Sequence, residues 1–152
     1  MDSLLKQPRL LPGGLAVDDR GQITFVNDFS FQEIKRLYMV ENFSTDVIRA
    51  FHGHLNEEKF VLVVCGSALV AAVNFGAPEK PDRDAPVVRF ILSERQPQIL
   101  YIPAGYANGF RCLESHTKIM FFSTATLEES RGDDFRFPYN QWGVEVWQVE
   151  NR

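Results

Sequence analysis

Two histidines one residue apart, His52 and His54, are the side chains of this sequence best suited to chemistry. They lie in the stretch "RAFHGHLNEEK" (residues 49–59), which also contains Glu57 and Glu58. A neutral imidazole accepts protons near pH 7 and also binds metal ions. The stretch therefore predicts half of a metal site or a proton-transfer site, against the simpler reading of two idle histidines on a strand.

The residues before the histidine pair predict a β-strand. Alternate residues of a strand share a face, so His52 and His54 are expected on the same face as Ile48 and Ala50, inside a β-barrel. Those apolar neighbours argue against an exposed pair. Strict alternation places Arg49 on the opposite face, so a bulge or twist is needed before Arg49 can reach the same site.

The rest of the chain predicts an all-β protein in one domain, residues 1–152. Short runs rich in Val, Ile and Phe recur between Gly, Pro, Asp and Asn, and they favour the strands of a sandwich, jelly roll or small barrel. No long helical period with caps is present. The segment Gly76–Pro86 contains three prolines and five charges, so it predicts an exposed loop. It is not read as a domain boundary, because neither half of the chain is long enough for a good core. The predicted strands are Ile23–Val26, Ile34–Val40, Val47–Phe51, Phe60–Cys65, Ala68–Phe75, Val87–Leu92, Ile99–Ile102, Gly109–Leu113, Lys118–Ser123 and Val144–Val149.

Composition excludes several partners. The net charge of −4 argues against a general nucleic-acid binder, although a few arginines suffice for an anionic small ligand. The first residues lack a secretory leader pattern, and no apolar run approaches the length of a membrane span. Cys65 and Cys112 lie in apolar runs and are predicted to be buried free thiols. We therefore expect a cytoplasmic protein without membrane association.

Two motifs resemble those of the cupin superfamily. His52 and His54 match the two histidines of the first motif, and Gly66 matches its closing glycine. Lys59 stands where that motif has a glutamate ligand, and Asn108, in "IPAGYANGF", stands where the second motif has a histidine. An ammonium repels a divalent ion. The resemblance implies a double-stranded β-helix, the cupin jelly roll, and the two replacements predict a site without metal or other cofactor.

The first half of the chain resembles the dTDP-sugar 3,4-ketoisomerases. The matching pieces are "DDRGQITFVND", "EIKRLYMV", the Arg-x-x-His-x-His pattern and "GSALV". This resemblance implies that His52 and His54 carry the proton transfers. It also implies that Tyr38 and Arg36, on the preceding strand, line the site.

The second half looks more like the dTDP-4-dehydrorhamnose 3,5-epimerases. The matching pieces are "LYIPAGYANGFRCLE", "FFSTATLEES" and "DDFRF". The resemblance implies that His52 is the base and Arg49 a substrate-binding arginine. Two departures affect the epimerase reaction: Asn108 replaces a second histidine, and no tyrosine lies near Thr126–Leu127, where the catalytic tyrosine is expected.

The resemblances together imply an isomerase of a nucleotide-linked, dTDP-type 4-keto-6-deoxyhexose. His52 would remove the proton at C3 beside the C4 ketone, and His54 or Tyr38 would relay a proton at the oxygen. Returning the proton to C4 gives a 3,4-ketoisomerase, the favoured interpretation. Returning protons to C3 and C5 from the other face gives an epimerase, the alternative. Two rivals stay open, a metal-dependent cupin that uses a neighbouring glutamate and a non-catalytic sugar-binding cupin.

Five further side chains are expected to bind the substrate: Arg49, Arg36, Asn108, Lys59 and Tyr106. Arg49 matches a diphosphate, and Asn108 is expected to hydrogen-bond the sugar. Lys59 either offsets enolate charge or forms an ion pair at the rim with one of the two preceding glutamates. Tyr106 is predicted in a turn, where it can stack on thymine. A homodimer is expected from the family resemblance.

Overall fold

Two five-stranded antiparallel sheets pack against each other in the computed structural model, which describes residues 6–152. Sheet I has the strand order β1-β11-β6-β13-β4, and sheet II has the order β10-β7-β12-β5-β14. This arrangement confirms the predicted all-β jelly roll. The strands are β1 (Arg9–Pro12), β2 (Gly14–Asp18), β3 (Gly21–Phe25), β4 (Arg36–Glu41), β5 (Ile48–Gly53), β6 (Lys59–Cys65), β7 (Ser67–Asn74), β8 (Gly76–Ala77), β9 (Lys80–Pro81), β10 (Val87–Ser93), β11 (Gln98–Ile102), β12 (Tyr106–Cys112), β13 (Lys118–Ser123) and β14 (Phe135–Arg136).

Two apolar clusters bury the two faces of sheet II. The inner cluster fills the space between the sheets with alternate residues of both, among them Val61, Val70 and Ile119. The outer cluster lies on the opposite face of sheet II, where Trp142 and Trp147 cover it. Strand β7 is therefore buried on both faces, which explains its continuous apolar sequence. Each large side chain that is fully buried contributes about 1.5–3 kcal/mol.

A short helix, α1 (Leu127–Arg131), follows β13 and was not predicted. Thr126 accepts a hydrogen bond from the Glu129 backbone, and the Glu129 side chain accepts one from the Thr126 backbone. This capping box is visible in the sequence as Thr-x-x-Glu. No helix within residues 6–152 is long and apolar enough to cross a membrane.

The predicted strand at Val144–Val149 is wrong. Residues Val144–Trp147 form a 3-10 helix instead. Val146 and Trp147 are neighbours in sequence, and both are buried against the outer cluster. Consecutive buried residues fit a helical turn, whereas a strand would point them to opposite faces. The other predicted runs each overlap a strand.

The predicted burial of Cys65 is wrong, while Cys112 is buried as expected. In the pairing of β13 with β6, Lys118 lies opposite Cys65 and Ile119 lies opposite Val63, so β6 has one extra residue there. The extra residue changes the phase of inward and outward side chains at the end of β6. The Cys65 thiol therefore faces outward.

Candidate active site

A bulge in β5 brings Arg49 and His52 to one cavity. His52 pairs with Asn108 of β12 and Arg49 pairs with Phe110, so two residues of β5 lie opposite the single Gly109. The extra residue reverses the alternation along β5. Arg49 and His52 therefore both line a cavity of about 190 Å³ in the barrel interior. The sequence required such a bulge for both side chains to reach one site.

The predicted shared face of β5 is wrong for Ile48 and Ala50. Both pack against the outer cluster, because they lie before His52, on the other side of the bulge at which the inward and outward faces of β5 exchange. His52 and His54 follow the bulge and line a second cavity of about 240 Å³. His54 lies just after the end of β5 rather than within it.

The two cavities adjoin. Tyr38, His52 and Lys59 line both of them. Tyr38 and Lys59 belong to sheet I, whereas His52 belongs to sheet II. The site therefore lies between the two sheets, with the histidines on one wall and Tyr38 and Lys59 on the other.

His52 is held in its neutral form. It is half-buried, and burial lowers its pKa below the ordinary value of 6.5. The positive charges of Lys59 and Arg136 lower the pKa further, while Asp134 opposes them. At pH 7 the imidazole is therefore unprotonated at one nitrogen and can accept a proton.

His54 is buried more deeply, with 4% of its surface exposed. Burial and then the charge of Lys59 lower its pKa, against the opposing effects of Glu57 and Asp133. Its Nδ1 lies 2.5 Å from the backbone oxygen of Asp133 and 3.2 Å from Glu57 Oε2. Its Nε2 is buried and has no hydrogen-bond partner in the described part of the chain.

Glu57 is a fully buried carboxylate behind the histidines. It accepts hydrogen bonds from Ser123 Oγ at 2.5 Å, from Ser130 Oγ at 2.8 Å and from Arg36 Nη2 at 3.2 Å. A buried carboxylate is costly unless its oxygens are paired in this way. From the sequence, Glu57 was expected only as a metal ligand or as a charge at the rim.

Asp133 holds the loop that carries His54 and Glu57. Its carboxylate accepts the backbone N–H groups of Leu55, Asn56 and Glu57 at 2.7–2.9 Å. Asp133 lies far along the chain, just after α1, so no local pattern pointed to this role. The only signal was the segment "DDFRF", for which the sequence analysis assigned no residue a task.

Lys59 lies buried within the site, with 7% of its surface exposed. Its Nζ lies 5.8 Å from the ring centre of Tyr38 and 5.9 Å from that of Phe121. Among residues 6–152 no carboxylate lies within 4.0 Å of this ammonium. The alternative of a rim ion pair is therefore wrong, because Glu57 is engaged by the buried network and Glu58 pairs with Lys6 at 3.4 Å.

Arg49 is positioned by a buried amide that the sequence analysis did not single out. Its Nε donates to Asn42 Oδ1 at 2.6 Å, and Arg49 lines the 190 Å³ cavity. Asn108 lines the same cavity and donates from Nδ2 to the backbone oxygen of His52 at 3.2 Å. The two amides thus hold the Arg49 side chain and the His52 backbone, which belong to residues that line this cavity.

Arg36 and Tyr38 occupy the wall formed by β4. Arg36 donates to Glu57 and, from Nε, to the backbone oxygen of Ala125 at 3.2 Å, so part of its guanidinium is already used. Its Cζ lies 5.0 Å from the Tyr38 ring centre. The Tyr38 ring stacks on Phe121 with centres 5.1 Å apart and planes within 8°.

The mouth of the site carries positive groups that the sequence analysis missed. Arg131 of α1 and Arg136 of β14 line the 240 Å³ cavity, where Asp134 pairs with Arg136 at 3.1 Å. Leu127 also lines it, in the region where a tyrosine was expected by resemblance to the epimerases. Strand β14 pairs with β5 so that Arg136 lies opposite His52.

Tyr106 does not lie in the predicted turn. It is the first residue of β12, and its side chain packs against the inner cluster. It lines neither cavity of the site. Tyr106 is half-buried at the start of β12, two residues before Asn108, which does line the cavity.

The donor set does not fit the divalent ion that cupins often hold. Residues 6–152 contain no group of three or more His, Cys, Asp or Glu side chains placed to share a metal ion. The Lys59 ammonium instead lies in the cavity beside His52 and His54. A fixed cation at this position opposes a second one.

Comparison with known proteins connects this site to a family. Residues 15–149 match the family model of dTDP-4-dehydrorhamnose 3,5-epimerase. The chain is also 29% identical over 108 residues to the spore coat polysaccharide biosynthesis protein SpsL of Bacillus subtilis, covering 70% of each protein.

Solved structures of two kinds share the fold. The RmlC epimerase of Mycobacterium tuberculosis has a TM-score of 0.73 at 17% identity, covering 94% of this chain and 73% of that one. The RmlC epimerase of Legionella pneumophila, solved with dTDP-4-keto-L-rhamnose, has a TM-score of 0.72 at 20% identity, covering 91% and 77%. The WlaRB TDP-quinovose 3,4-ketoisomerase of Campylobacter jejuni has a TM-score of 0.65 at 18% identity, covering 90% and 98%.

Proposed function

The chain belongs to the dTDP-4-dehydrorhamnose 3,5-epimerase family and is an isomerase, and on that premise we propose a 3,4-ketoisomerase-like reaction on a dTDP-linked 4-keto-6-deoxyhexose. The observation that carries this proposal is the pair His52 and His54, which line one cavity from the same wall. Moving a ketone between neighbouring carbons requires one proton transfer at carbon and one at oxygen. Two adjacent imidazoles can divide these tasks.

In the proposed reaction His52 removes the proton from C3. A proton next to a ketone is acidic because its loss gives an enolate, and the lowered pKa of His52 leaves the imidazole free to accept it. Lys59, which has no carboxylate partner among residues 6–152, stabilises the negative charge that develops on oxygen. The His52 imidazolium exchanges its proton with solvent and then delivers a proton to C4, and the ketone moves to C3.

The charges around the site suit an anionic substrate. The described residues of the cavities include Arg49, which lines the 190 Å³ cavity, and Arg131 and Arg136, which line the 240 Å³ cavity. A guanidinium matches the oxygens of a diphosphate in two parallel hydrogen bonds. We expect Arg49 to bind the diphosphate and Asn108 to contact the sugar. Arg36 lines the 240 Å³ cavity but already donates to Glu57, and Tyr106 lines neither cavity.

A 3,5-epimerase is the second candidate, and one observation favours it. Tyr38 lies on sheet I, on the wall that faces His52 of sheet II. Inversion at carbon requires an acid on the face opposite to the base. Tyr38 could supply that proton in place of the tyrosine that is absent near Leu127.

Proton exchange with solvent tests the proposal and separates the two reactions. The protein is incubated with dTDP-4-keto-6-deoxyglucose in deuterated water, and the sugar is followed by NMR. A ketoisomerase moves the ketone to C3 and leaves deuterium at C4, whereas an epimerase leaves the ketone in place and exchanges C3 and C5 with inversion. The His52→Asn variant should be close to inactive. Absence of exchange at every carbon would contradict both reactions.

We also propose a homodimer formed through the outer face of sheet I. Met39, Met120 and Leu62 form a row across three neighbouring strands of this face, and Met39 is 50% exposed. The β2–β3 hairpin, with Val17 73% exposed, packs on neither sheet in the described chain. Isolated hairpins are marginally stable, and a twofold pair of copies would cover both apolar surfaces.

Light scattering tests the dimer. The wild type should have twice the mass of one chain, and Met39→Lys should reduce it to one chain. Val144→Lys is a matched control, because Val144 has the same 50% exposure but lies elsewhere. A monomeric wild type would refute the proposal.

The free thiols Cys65 and Cys112 fit our expectation that this homodimer works in a reducing cytoplasm.

A further inference from the structure

We propose that Glu57 is a positioning residue, which together with the Asp133 carbonyl holds His54 with its proton on Nδ1 and a proton-accepting Nε2 in the cavity. This inference rests on the proposed function, since it assigns His54 the proton transfer between the two sugar oxygens. Neither the family resemblance nor the sequence pattern assigned Glu57 this task.

The hydrogen bonds of His54 define its tautomer. A backbone oxygen only accepts hydrogen bonds, so the 2.5 Å contact between Nδ1 and the Asp133 oxygen requires a proton on Nδ1. Glu57 Oε2, at 3.2 Å, is a second acceptor on the same side. A neutral imidazole has one N–H, so Nε2 is left with its lone pair.

The free nitrogen of His54 is placed to act on a substrate. Nε2 is buried and has no partner in residues 6–152, although the ring lines the cavity beside His52 and Lys59. Buried polar atoms are normally paired, and an unpaired one at a cavity wall points to a group that binds there. A sugar hydroxyl is the kind of donor that this lone pair would accept.

Glu57 is built to hold its position. Its carboxylate has no exposed surface, and donors on three different segments fix it: Arg36 on β4, Ser123 on β13 and Ser130 on α1. The carboxylate therefore cannot turn away from His54 without breaking these bonds. A carboxylate behind a histidine orients the ring and stabilises the imidazolium that forms when the other nitrogen takes a proton.

The step assigned to His54 gains and loses no proton overall. The O–H bond of the C3 hydroxyl breaks and an N–H bond forms at His54 Nε2. That N–H bond then breaks, and a new O–H bond forms at the C4 oxygen. The imidazolium exists only between the two transfers, beside the Glu57 carboxylate. No oxidant, reductant or other reactant is needed.

Charged and titratable groups from every neighbouring element face His54. Tyr38 and Arg36 come from β4, His52 from β5, Lys59 from β6, and the others from α1 and the segment after it: Arg131, Asp133, Asp134 and Arg136. Asp133, through its backbone oxygen, and Glu57, from the loop after β5, contact Nδ1 directly. The remaining groups line the same 240 Å³ cavity as His54, whereas Asp133 reaches His54 only through its backbone oxygen.

Nitrogen NMR of the protein without substrate tests the tautomer, and it does so whatever the substrate is. Imidazole nitrogens are observed in protein labelled with ¹⁵N at histidine. The proposal requires His54 to be protonated on Nδ1 and unprotonated on Nε2 at pH 7.5. A proton on Nε2 would overturn it. This measurement uses the wild type and needs no variant that might unfold.

The Glu57→Gln variant tests the effect on the reaction, with Glu58→Gln as the matched control. Glu58 is the neighbouring carboxylate, and it pairs with Lys6 outside the site. Glu57→Gln should lower kcat for solvent exchange at C4, which accompanies migration of the ketone, roughly 10- to 100-fold, while the affinity for dTDP, measured by calorimetry, stays within about twofold. Glu58→Gln should change neither. A kcat within twofold of the wild type in Glu57→Gln would overturn the proposal.

A double variant separates positioning from general structural support. In a His54→Gln background, Glu57→Gln should cause no further loss of the residual exchange, because Glu57 acts through His54. A further tenfold loss would show that Glu57 acts by another route and would refute the assignment. If the wild type exchanges no proton of the sugar nucleotide, the proposed function fails, and the NMR measurement still decides the tautomer.

Discussion

Gly109→Ala is the substitution that most directly tests how the site is assembled. Gly109 lies opposite the bulge in β5, and a Cβ there would touch the Cβ of Ala50. It would also lie 2.8 Å from the backbone oxygen of Arg49 and 2.9 Å from the Cα of Ala50. Backbone atoms cannot rotate away, so β5 itself has to move.

The size of that movement follows from the contact distances. Ordinary van der Waals contact begins near 3.4 Å, so the β5 backbone must retreat by about 0.6 Å at Arg49. A misplacement of 1 Å can cost about 100-fold in rate. We therefore expect the exchange rate to fall roughly tenfold or more. Overpacking of this kind costs about 1–3 kcal/mol, which lowers Tm by roughly 2–12 °C in a chain of this size.

The assay compares two glycines of different surroundings. Gly132→Ala is the control, because the nearest atom to its new Cβ is the Glu129 oxygen at 3.7 Å and its φ of −83° suits alanine. Solvent exchange and thermal unfolding are measured for both variants. If Gly109→Ala exchanges protons as fast as the wild type, the bulge does not set the position of Arg49 relative to His52. This conclusion holds whether or not the substitution lowers Tm.

Three further predictions concern charge, pH and the helix. Lys59→Met should lower kcat about 10²- to 10³-fold, because the enolate loses the ammonium that stabilises it. Lys35→Met, on the surface, is the control and should leave kcat unchanged. An equal effect of both substitutions would contradict the role of Lys59 in stabilising the enolate. The exchange rate should fall on acidification with a midpoint below pH 6.5, because burial lowers the pKa of His52 and His54 and only their neutral forms accept protons. As the pH falls, the histidines of the unfolded chain take up protons before His52 and His54 of the folded protein do. The free energy of unfolding should therefore also decrease as the pH falls from 6.5 toward the lowered pKa values. A free energy of unfolding, measured by urea denaturation, that stays constant over that range would contradict this. Thr126→Ala should destabilise the protein by about 1 kcal/mol by removing the cap of α1, and Thr126→Ser, measured by urea denaturation, should restore most of it.

The sequence by itself was sufficient for the fold class and for the centre of the site. Alternation and β-branched composition depend on near neighbours in the chain, so β6, β7, β10 and β13 were predicted close to their observed bounds. The spacing of His52 and His54 and the ammonium of Lys59 are also local features. They predicted a shared site for the two histidines and, through the resemblance to the cupin motifs, a site without metal, while a metal-dependent cupin stayed open as a rival. The capping box of α1 was equally local, and it was overlooked.

The tertiary structure decided which groups serve the two histidines. Glu57 accepts from residues 66 and 73 positions further along the chain, and Asp133 reaches the loop after β5 across a similar separation. Arg136 reaches the cavity only because β14 adds to the edge of sheet II beside β5. Such contacts arise when the barrel closes, and no local pattern encodes them. The bulge opposite Gly109 is of the same kind, because the register between β5 and β12 depends on both strands together, and that register turns Arg49 and His52 toward one cavity.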